Sequence, residues 1–236
     1  MSRTQVELPA VVLITGTDTE IGKTLTTAAL AATLQGQGAT VAVYKPVQTG
    51  VRAQEAGDAG EVGRLAGTLT CVEGIRLELP MAPTAAAVRE NRTLPTLAGH
   101  LRTIRSLADQ HDHVLVEGSG GLLVALDEQG NTMAELAAAC HDCAVVVVCR
   151  SGLGTLNHTL LTLEALAVRG VTAAGLVVGS WPNEPTMVEL DNVDYFLTLP
   201  VPLLGRLPAQ ASLLTKELFS AGAATWLSVL ARIAKR

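Results

Sequence analysis

Three consecutive segments near the start of the chain constrain its fold more than any other feature. Val11–Thr15 is a run of β-branched and aliphatic residues, a glycine-containing loop follows it, and Thr24–Leu34 is rich in alanine. Gly36 and Gly38 come directly after this alanine-rich segment and predict its end. The order therefore predicts a buried strand, a loop and a helix.

The rest of the chain repeats this alternation. Further strands are predicted at Val41–Val43, Val114–Val116, Cys143–Cys149, Thr172–Val178 and Pro202–Leu204. Further helices are predicted at Pro95–Asp109, Thr132–Ala139, Thr155–Val168, Thr186–Thr198 and Ala221–Lys235. The less regular region Cys71–Arg92 leaves room for one short strand and one short helix. We predict an α/β fold in which one domain, residues 1–236, has a mostly parallel sheet with helices on both faces.

Composition excludes several classes of partner. The chain has 236 residues, a formal charge of −5 and only 3% aromatic residues, so it lacks both the charge and the stacking surface of a nucleic-acid-binding protein. No aliphatic run is long enough to cross a bilayer, and Met1–Pro9 has no apolar signal-type core. We therefore expect a cytoplasmic protein with no membrane or nucleic-acid partner.

The four cysteines stand at positions 71, 140, 143 and 149. Cys140 and Cys143 form a C-x-x-C motif, but a zinc site needs a second ligand pair at similar spacing, which the sequence does not offer. A thioredoxin-type pair would follow a strand, whereas this pair precedes one. We interpret all four cysteines as ordinary reduced thiols without a metal or redox role.

The loop after the first strand has the character of a phosphate-binding loop. It reads Gly-Thr-Asp-Thr-Glu-Ile-Gly-Lys-Thr from Gly16 to Thr24, although the usual first glycine, six residues before Lys23, is Thr17. Backbone N–H groups of such a loop surround phosphate oxygens, the lysine adds a positive charge, and the Thr24 hydroxyl is suited to Mg²⁺. An ordinary strand–helix turn with an exposed lysine is the alternative, but the context favours nucleoside triphosphate binding.

Two other strands end in charged residues that belong at the same sheet edge. Glu117 follows Val114–Val116 and precedes a glycine-rich stretch, and Lys45 ends the second strand just before Pro46. An acid opposite a phosphate loop suits a Mg²⁺ site, and a lysine beside it suits phosphate. A surface acid and a solvated lysine are the simpler alternatives for each residue taken alone.

Four segments together resemble the dethiobiotin synthetase family, in an order and spacing that extend over nearly the whole chain. The segments are Gly16–Thr24, Tyr44–Val47, Val116–Gly121 and Gly154–His158. The family has its own variant of the phosphate loop, which accounts for the displaced glycine. The resemblance implies a P-loop NTPase-like fold.

The resemblance also implies a reaction. The family closes a ureido ring on 7,8-diaminononanoate with CO₂ and ATP, in the penultimate step of biotin synthesis, and releases dethiobiotin, ADP and phosphate. The route passes through a carbamate and a carbamic–phosphoric anhydride. Mg²⁺ is the implied cofactor, ATP is a co-substrate, and a homodimer forms composite active sites.

The family's functional residues carry over by position. The catalytic residues would be Lys23 and Lys45, and the Mg²⁺ ligands would be Thr24, Asp58 and Glu117. Nucleotide contacts would come from Glu20, Ile21, Gly22, Lys23, Thr24, Leu25, Asp58, Glu117, Gly118, Gly120, Gly179, Ser180, Leu207, Pro208 and Ala209. Substrate contacts would come from Thr19, Lys45, Thr49, Gly121, Thr155, Leu156 and Asn157, the last three from the neighbouring subunit. A helix N-cap for Asp58 and a local helix-start role for Asn157 remain open.

The chain differs from the family in the segment with which family members recognise the nucleotide base. Family members often carry an asparagine after the strand that corresponds to Thr172–Val178, and this chain has Gly179-Ser180-Trp181-Pro182 there. The backbone of Leu207–Ala209 could still contact a base. Other nucleoside triphosphates therefore remain possible co-substrates.

Two other classes of protein compete with this interpretation. A partner-binding P-loop switch ATPase of related fold would carry a signature lysine five residues before Lys23, where this chain has Asp18. An amide-forming ligase of similar fold usually has an added glutaminase domain, for which 236 residues leave no room. Both classes are disfavoured.

Overall fold

The structure, a computed structural model, describes residues 5–67 and 69–233. The strands in these ranges are β1 (Val6–Leu8), β2 (Val11–Gly16), β3 (Val41–Gln48), β4 (Thr70–Arg76), β5 (His113–Gly121), β6 (Cys143–Cys149), β7 (Ala173–Trp181), β8 (Leu203–Pro208) and β9 (Val229–Ala231). The α-helices are α1 (Lys23–Gly36), α2 (Asp58–Ala66), α3 (Pro83–Arg89), α4 (Leu97–Ala108), α5 (Met133–Ala139), α6 (Thr155–Val168), α7 (Met187–Phe196) and α8 (Lys216–Trp226). None of these helices is both long and apolar enough to cross a lipid bilayer.

One parallel sheet organises the described part of the chain. Its seven strands lie in the order β4–β3–β5–β2–β6–β7–β8, and every pairing is parallel. The predicted parallel sheet is confirmed. The carboxyl ends of parallel strands meet at one edge, and β2 lies in the middle, so the loop after β2 lies at the centre of that edge.

Helices cover both faces of the sheet, as predicted. Successive side chains of a strand point to opposite faces. Val11 and Leu13 of β2 therefore pack in the core formed with helices α3 to α7, while Val12 and Ile14 pack in the core formed with α1, α2 and α8. Because β2 is buried along its whole length, the loop that follows starts from a rigid support.

The end of the chain differs from the prediction of a helix over Ala221–Lys235. Helix α8 begins earlier, with the Thr215 hydroxyl as its N-cap, and it ends at Trp226. The next residues form β9, which pairs with β1, while Lys235 lies outside the described residues. The Gln37 side chain donates to the Val229 carbonyl at 2.9 Å and accepts from the Ala231 N–H at 2.7 Å. The predicted helix is wrong beyond Trp226 because these long-range bonds override a local preference.

Because of two buried histidines, we expect the free energy of unfolding to decrease at mildly acidic pH. His113 contacts the Pro9 carbonyl through Nδ1 at 3.0 Å and accepts the Arg232 N–H at Nε2, and His100 Nδ1 lies 2.7 Å from the Tyr44 hydroxyl. Burial is the main cause that lowers the pKa of both imidazoles. An unfolded histidine takes up a proton near pH 6.5, and the folded ones do so only at lower pH.

Because the unfolded chain then binds more protons, the free energy of unfolding decreases as the pH falls below about 6.5. Urea unfolding at pH 7.5 and pH 5.5 measures this difference. In His113→Asn, whose amide keeps one donor and one acceptor, the difference is expected to be smaller. An unchanged difference in that variant would show that His113 does not contribute.

Candidate active site

The loop between β2 and α1 folds over its own lysine. Lys23 is buried, and its ammonium donates to the Asp18 carbonyl at 2.8 Å. Gly22 lies in the left-handed region at φ 92°, which lets the chain turn sharply into α1. The first N–H groups of a helix have no partner within the helix, and they favour an anion at this end. The loop has the local structure that the sequence predicted for phosphate binding.

Gly179, at the carboxyl end of β7, packs directly against this loop. A Cβ atom placed on Gly179 would lie 2.0 Å from the Ile21 carbonyl oxygen, and one on Gly22 would lie 2.4 Å from the Gly179 carbonyl oxygen. Neither distance is compatible with a side chain. Two glycines therefore let strand β7 support the loop by backbone contact.

Lys45 lies at the centre of an acidic cluster. Its buried ammonium pairs with Asp58 and with Glu117 Oε1, the latter at 2.9 Å, and it also donates to the Gly118 carbonyl at 3.1 Å. The Thr24 hydroxyl donates to the same Glu117 oxygen at 2.9 Å. The three predicted Mg²⁺ ligands and both predicted catalytic lysines thus lie around one point at the sheet edge.

The two lysines have opposite electrostatic environments. Burial lowers the pKa of Lys23 to about 8, and repulsion by Lys45 adds to that effect. Burial alone would lower the pKa of Lys45 as well, but Glu117 and Asp58 outweigh it and raise that pKa. Lys45 is therefore held as a charged ammonium, while Lys23 is charged more readily once an anion lies beside it.

The arrangement fits a magnesium ion on a structural ground. Glu117 is buried, and its Oε2 atom has no hydrogen-bond partner among the described residues. A buried carboxylate oxygen without a partner is costly unless a cation or donor completes it. Hydroxyl and carboxylate oxygens are the ligands that Mg²⁺ prefers. No group of three or more His, Cys, Asp or Glu side chains suited to a metal occurs in the described ranges, so phosphate or water oxygens would have to complete the shell.

A cavity of about 640 Å³ opens over this cluster. Its lining includes the predicted residues Thr19, Glu20, Ile21, Gly22, Lys23, Thr24, Leu25, Lys45, Thr49, Asp58, Glu117 and Gly120. It also includes residues that the sequence analysis did not assign: Gln48, Gly50, Val51, Pro80, Met81, Ala82 and Ser119. Gln48 accepts the Asp58 N–H at 2.8 Å and so fixes the start of α2. Gln48 lies three residues after Lys45 at the carboxyl end of β3, and this position was the available signal.

The predicted base contacts lie in and around a second cavity, of about 310 Å³. Ser180 and Ala209 line it together with Glu20 and Ile21 of the phosphate loop. The unassigned residues Arg150 and Glu189 line it too. Leu207 is fully buried in the core, whereas Pro208 lines a neighbouring cavity with both tryptophans.

Four predicted substrate contacts lie apart from the main cavity. Thr155, Leu156 and Asn157 form the start of α6, where the buried Thr155 hydroxyl donates to the Arg150 carbonyl at 2.8 Å. Gly121 lines an apolar cavity of about 380 Å³ beside α6. One copy of the chain does not bring these four residues to Lys45. The predicted roles of Thr155, Leu156 and Asn157 depend on a second copy, whereas Gly121 was predicted to act within one copy and lies outside the lining of the main cavity.

Comparisons with known proteins agree with these observations. A family model described as an AAA domain matches residues 10–217. The two solved structures described next are 13% and 17% identical to this chain, so they support the fold alone. FlhF complexed with GMPPNP/Mg(2+) has a TM-score of 0.55 at 13% identity, covering 91% of this chain and 70% of that chain. The kinase domain of the Escherichia coli tyrosine kinase ETK has a TM-score of 0.50 at 17% identity, covering 75% and 70%.

Sequence relatives are much more similar, and those cited here are named ATP-dependent dethiobiotin synthetase BioD. The Rhodococcus jostii (strain RHA1) protein is 46% identical over 92% of this chain and 94% of its own length. The Rhodococcus erythropolis protein is 50% identical over 85% and 88%, and the Mycobacterium avium (strain 104) protein is 46% identical over 94% and 99%. With this identity along most of its length, the chain belongs to the ATP-dependent dethiobiotin synthetase family.

Proposed function

We propose that this ligase-type enzyme closes the ureido ring of dethiobiotin on 7,8-diaminononanoate, with CO₂ as the carbon source and a nucleoside triphosphate as the energy source. Family membership gives the ATP-dependent role in biotin synthesis. The observation that supports the chemistry is the cavity in which both lysines, three threonines, Asp58 and Glu117 meet.

The reaction has three bond-forming steps. One amine of the substrate loses a proton and adds to CO₂, which gives a carbamate. A carbamate oxygen then attacks the γ-phosphorus, the bond to the β–γ bridging oxygen breaks, and the nucleoside diphosphate leaves. The second amine attacks the carbamoyl carbon, expels phosphate and closes the ring. These steps need positioning and charge stabilisation more than covalent help from the protein.

The two lysines have separate tasks in this scheme. Lys23, which starts α1 under the loop, stabilises the β- and γ-phosphates. Lys45 stabilises the carbamate and the γ-phosphoryl group, because its charge is maintained by Glu117 and Asp58. Thr19 and Thr49, which both line the cavity, offer hydroxyls to the diamine. Thr24, Asp58 and Glu117 would hold Mg²⁺, which neutralises phosphate charge when bound.

The remaining substrate contacts require a homodimer. The N–H groups at the start of α6, near Thr155, Leu156 and Asn157, suit the far carboxylate of the substrate. Leu153 is 91% exposed just before this helix, and Leu161 is 56% exposed on it. In the proposed dimer a second copy covers these apolar residues and brings the start of its α6 to this copy's main cavity.

Base recognition is proposed to rely on the backbone. Gly179 and Ser180 supply no amide side chain, Ala209 lines the second cavity and Pro208 lines a neighbouring one. The proposed contacts therefore come from the backbone of the segment Leu207–Ala209. Such contacts discriminate weakly between bases, so nucleoside triphosphates other than ATP are expected to support turnover.

An assay with 7,8-diaminononanoate, CO₂, Mg²⁺ and a panel of nucleoside triphosphates tests the proposal. We expect one dethiobiotin and one phosphate per nucleotide consumed, and no product when any component is omitted. Nucleotide hydrolysis without dethiobiotin would instead support the alternative, a partner-binding switch ATPase.

Replacing Glu117 by glutamine is expected to raise the Mg²⁺ concentration for half-maximal activity at least about tenfold, because metal affinity follows ligand charge. A Mg²⁺ titration of the activity measures the change. Glu61→Gln is the matched control, since Glu61 pairs with Arg64 on the surface of α2. An unchanged Mg²⁺ requirement in Glu117→Gln would remove Glu117 from the proposed ligands.

A further inference from the structure

A turn between α5 and β6 brings two cysteines together. Cys140 caps the end of α5, Cys143 is the first residue of β6, and His141 and Asp142 form the turn between them. Both cysteines are partly exposed and free, whereas Cys149 is buried. This pair is the C-x-x-C motif that the proposed reaction does not use.

The Cys143 thiol contacts the backbone of Cys140. Cys143 Sγ lies 3.1 Å from the Cys140 carbonyl oxygen and 3.3 Å from the Ala137 carbonyl oxygen, while Cys140 Sγ lies 3.8 Å from the His141 carbonyl oxygen. Interaction with Cys143 is the main cause that lowers the pKa of Cys140, and the positive charge of Arg105 adds to it. Interaction with Cys140, together with burial, raises the pKa of Cys143. Cys140 is therefore expected to be the thiol of this pair that ionises first.

The geometry points to a redox-active dithiol: we propose that hydroperoxides convert Cys140 and Cys143 reversibly into an intramolecular disulfide. The Cys140 thiolate attacks a peroxide oxygen, the O–O bond breaks, and sulfenic acid and water (or an alcohol) result after protonation. Cys143 Sγ then attacks the Cys140 sulfur and displaces a second water, which takes up the Cys143 proton. Two thiols and one hydrogen peroxide thus give one disulfide and two waters.

The backbone is already suited to this closure. The first and fourth Cα atoms of a tight turn lie within about 7 Å, which overlaps the usual range for disulfides. Asp142 lies in the left-handed region at φ 51°, and its carboxylate accepts from Arg232 at 3.1 and 3.2 Å. The ion pair between Asp142 and Arg232 helps to hold the turn in which the two cysteines are three residues apart.

The dithiol is remote from the proposed chemistry. It lies at the amino end of β6, while the phosphate loop lies at the carboxyl ends of the strands. Oxidation is therefore expected to change turnover less than about twofold, and the proposal does not depend on the proposed function. The proposal departs from the interpretation of Cys140 and Cys143 as ordinary thiols and keeps it for Cys71 and Cys149.

Differential alkylation with mass spectrometry tests the proposal on the full chain. After brief exposure to a small excess of hydrogen peroxide, we expect Cys140 and Cys143 to be protected from alkylation under denaturing conditions, while Cys71 and Cys149 stay reactive. Dithiothreitol should restore both thiols. In the untreated native protein at pH 7, Cys140 is expected to react with iodoacetamide at least about tenfold faster than Cys71. Cys71 is an exposed residue, but partial desolvation of its thiol and the negative charge of Glu73 raise its pKa.

Variants distinguish the role of Cys140, which attacks the peroxide, from that of Cys143, which closes the disulfide. Cys71→Ser should behave like the parent protein, whereas Cys143→Ser should stop at a Cys140 sulfenic acid that dimedone traps. Phenylarsine oxide, which binds paired thiols, should bind the parent and Cys71→Ser with one equivalent and bind neither single variant of the pair. Oxidation that links separate chains, or equal reactivity of Cys71 and Cys140 in the parent, would overturn the proposal without relying on any variant.

Discussion

Replacing Lys45 by methionine is expected to reduce turnover by at least about 10²–10³-fold, while the dissociation constant for the nucleotide changes less than about threefold. Methionine keeps much of the side-chain volume and removes the charge that faces the carbamate and γ-phosphoryl group in the proposed reaction. The loop, Lys23 and Thr24 remain to bind the triphosphate. Product formation and calorimetric nucleotide binding measure the two quantities separately.

Lys45→Met is also expected to lower the free energy of unfolding, and this effect can be distinguished from the loss of turnover. Glu117 is 1% exposed, and removal of its ammonium partner leaves a buried charge that costs roughly 3–5 kcal/mol. The double variant Lys45→Met/Glu117→Gln should regain part of the stability but none of the turnover. Lys216→Met, at an exposed lysine outside the cavity lining, should keep turnover within about twofold. Ring closure at a near-normal rate in folded Lys45→Met would contradict the role given to Lys45.

Replacing Gly179 by alanine is expected to weaken nucleotide binding by about 100-fold. The new Cβ atom would lie 2.0 Å from the Ile21 carbonyl oxygen and 2.7 Å from Val148 Cγ1. The phosphate loop must then move by about an ångström, and displacements of this size in a positioned site cost roughly this factor. The overpacking should also reduce the free energy of unfolding by about 1–3 kcal/mol.

Gly63→Ala is the matched control for this prediction. Gly63 lies within α2, and a Cβ atom there meets nothing within 4 Å. Alanine in a helix interior is favoured over glycine by roughly 0.5–1 kcal/mol, so this variant should be slightly more stable and bind nucleotide normally. Nucleotide titrations and urea unfolding of both variants make the comparison. Normal nucleotide affinity in Gly179→Ala would show that β7 does not support the loop.

Much of the sheet could be predicted from the sequence, because its strands are continuous aliphatic runs and its helices have glycine or proline boundaries. Short paired elements could not be predicted. Strand β1 has three residues, and β9 depends on pairing with β1 and on the Gln37 side chain. Local residue patterns contain no information about such distant partners, so the C-terminal helix was predicted too long.

The charged residues of the candidate site could be predicted, because each lies near the carboxyl end of a recognisable strand or in the loop that follows it. Lys23 begins the helix after β2, and Lys45 and Glu117 lie toward the carboxyl ends of β3 and β5, so the parallel sheet brings them together. Gln48 was missed because its importance lies in a bond to the Asp58 backbone, ten residues away. The approach of the Cys143 thiol to the Cys140 carbonyl was missed because it depends on the left-handed turn at Asp142. The single-domain boundary at 1–236 stays a prediction.

The transfer of oxygen from CO₂ to phosphate tests the central claim most directly. In a single turnover with C¹⁸O₂, made short enough to limit exchange with water, the carbamate oxygen that attacks the γ-phosphorus leaves with the phosphate. The account therefore predicts inorganic phosphate that carries one ¹⁸O atom for each dethiobiotin formed, detectable by ³¹P NMR or mass spectrometry. Dethiobiotin formed together with unlabelled phosphate would contradict it, because the phosphoryl group would then never have been bonded to a carbamate oxygen.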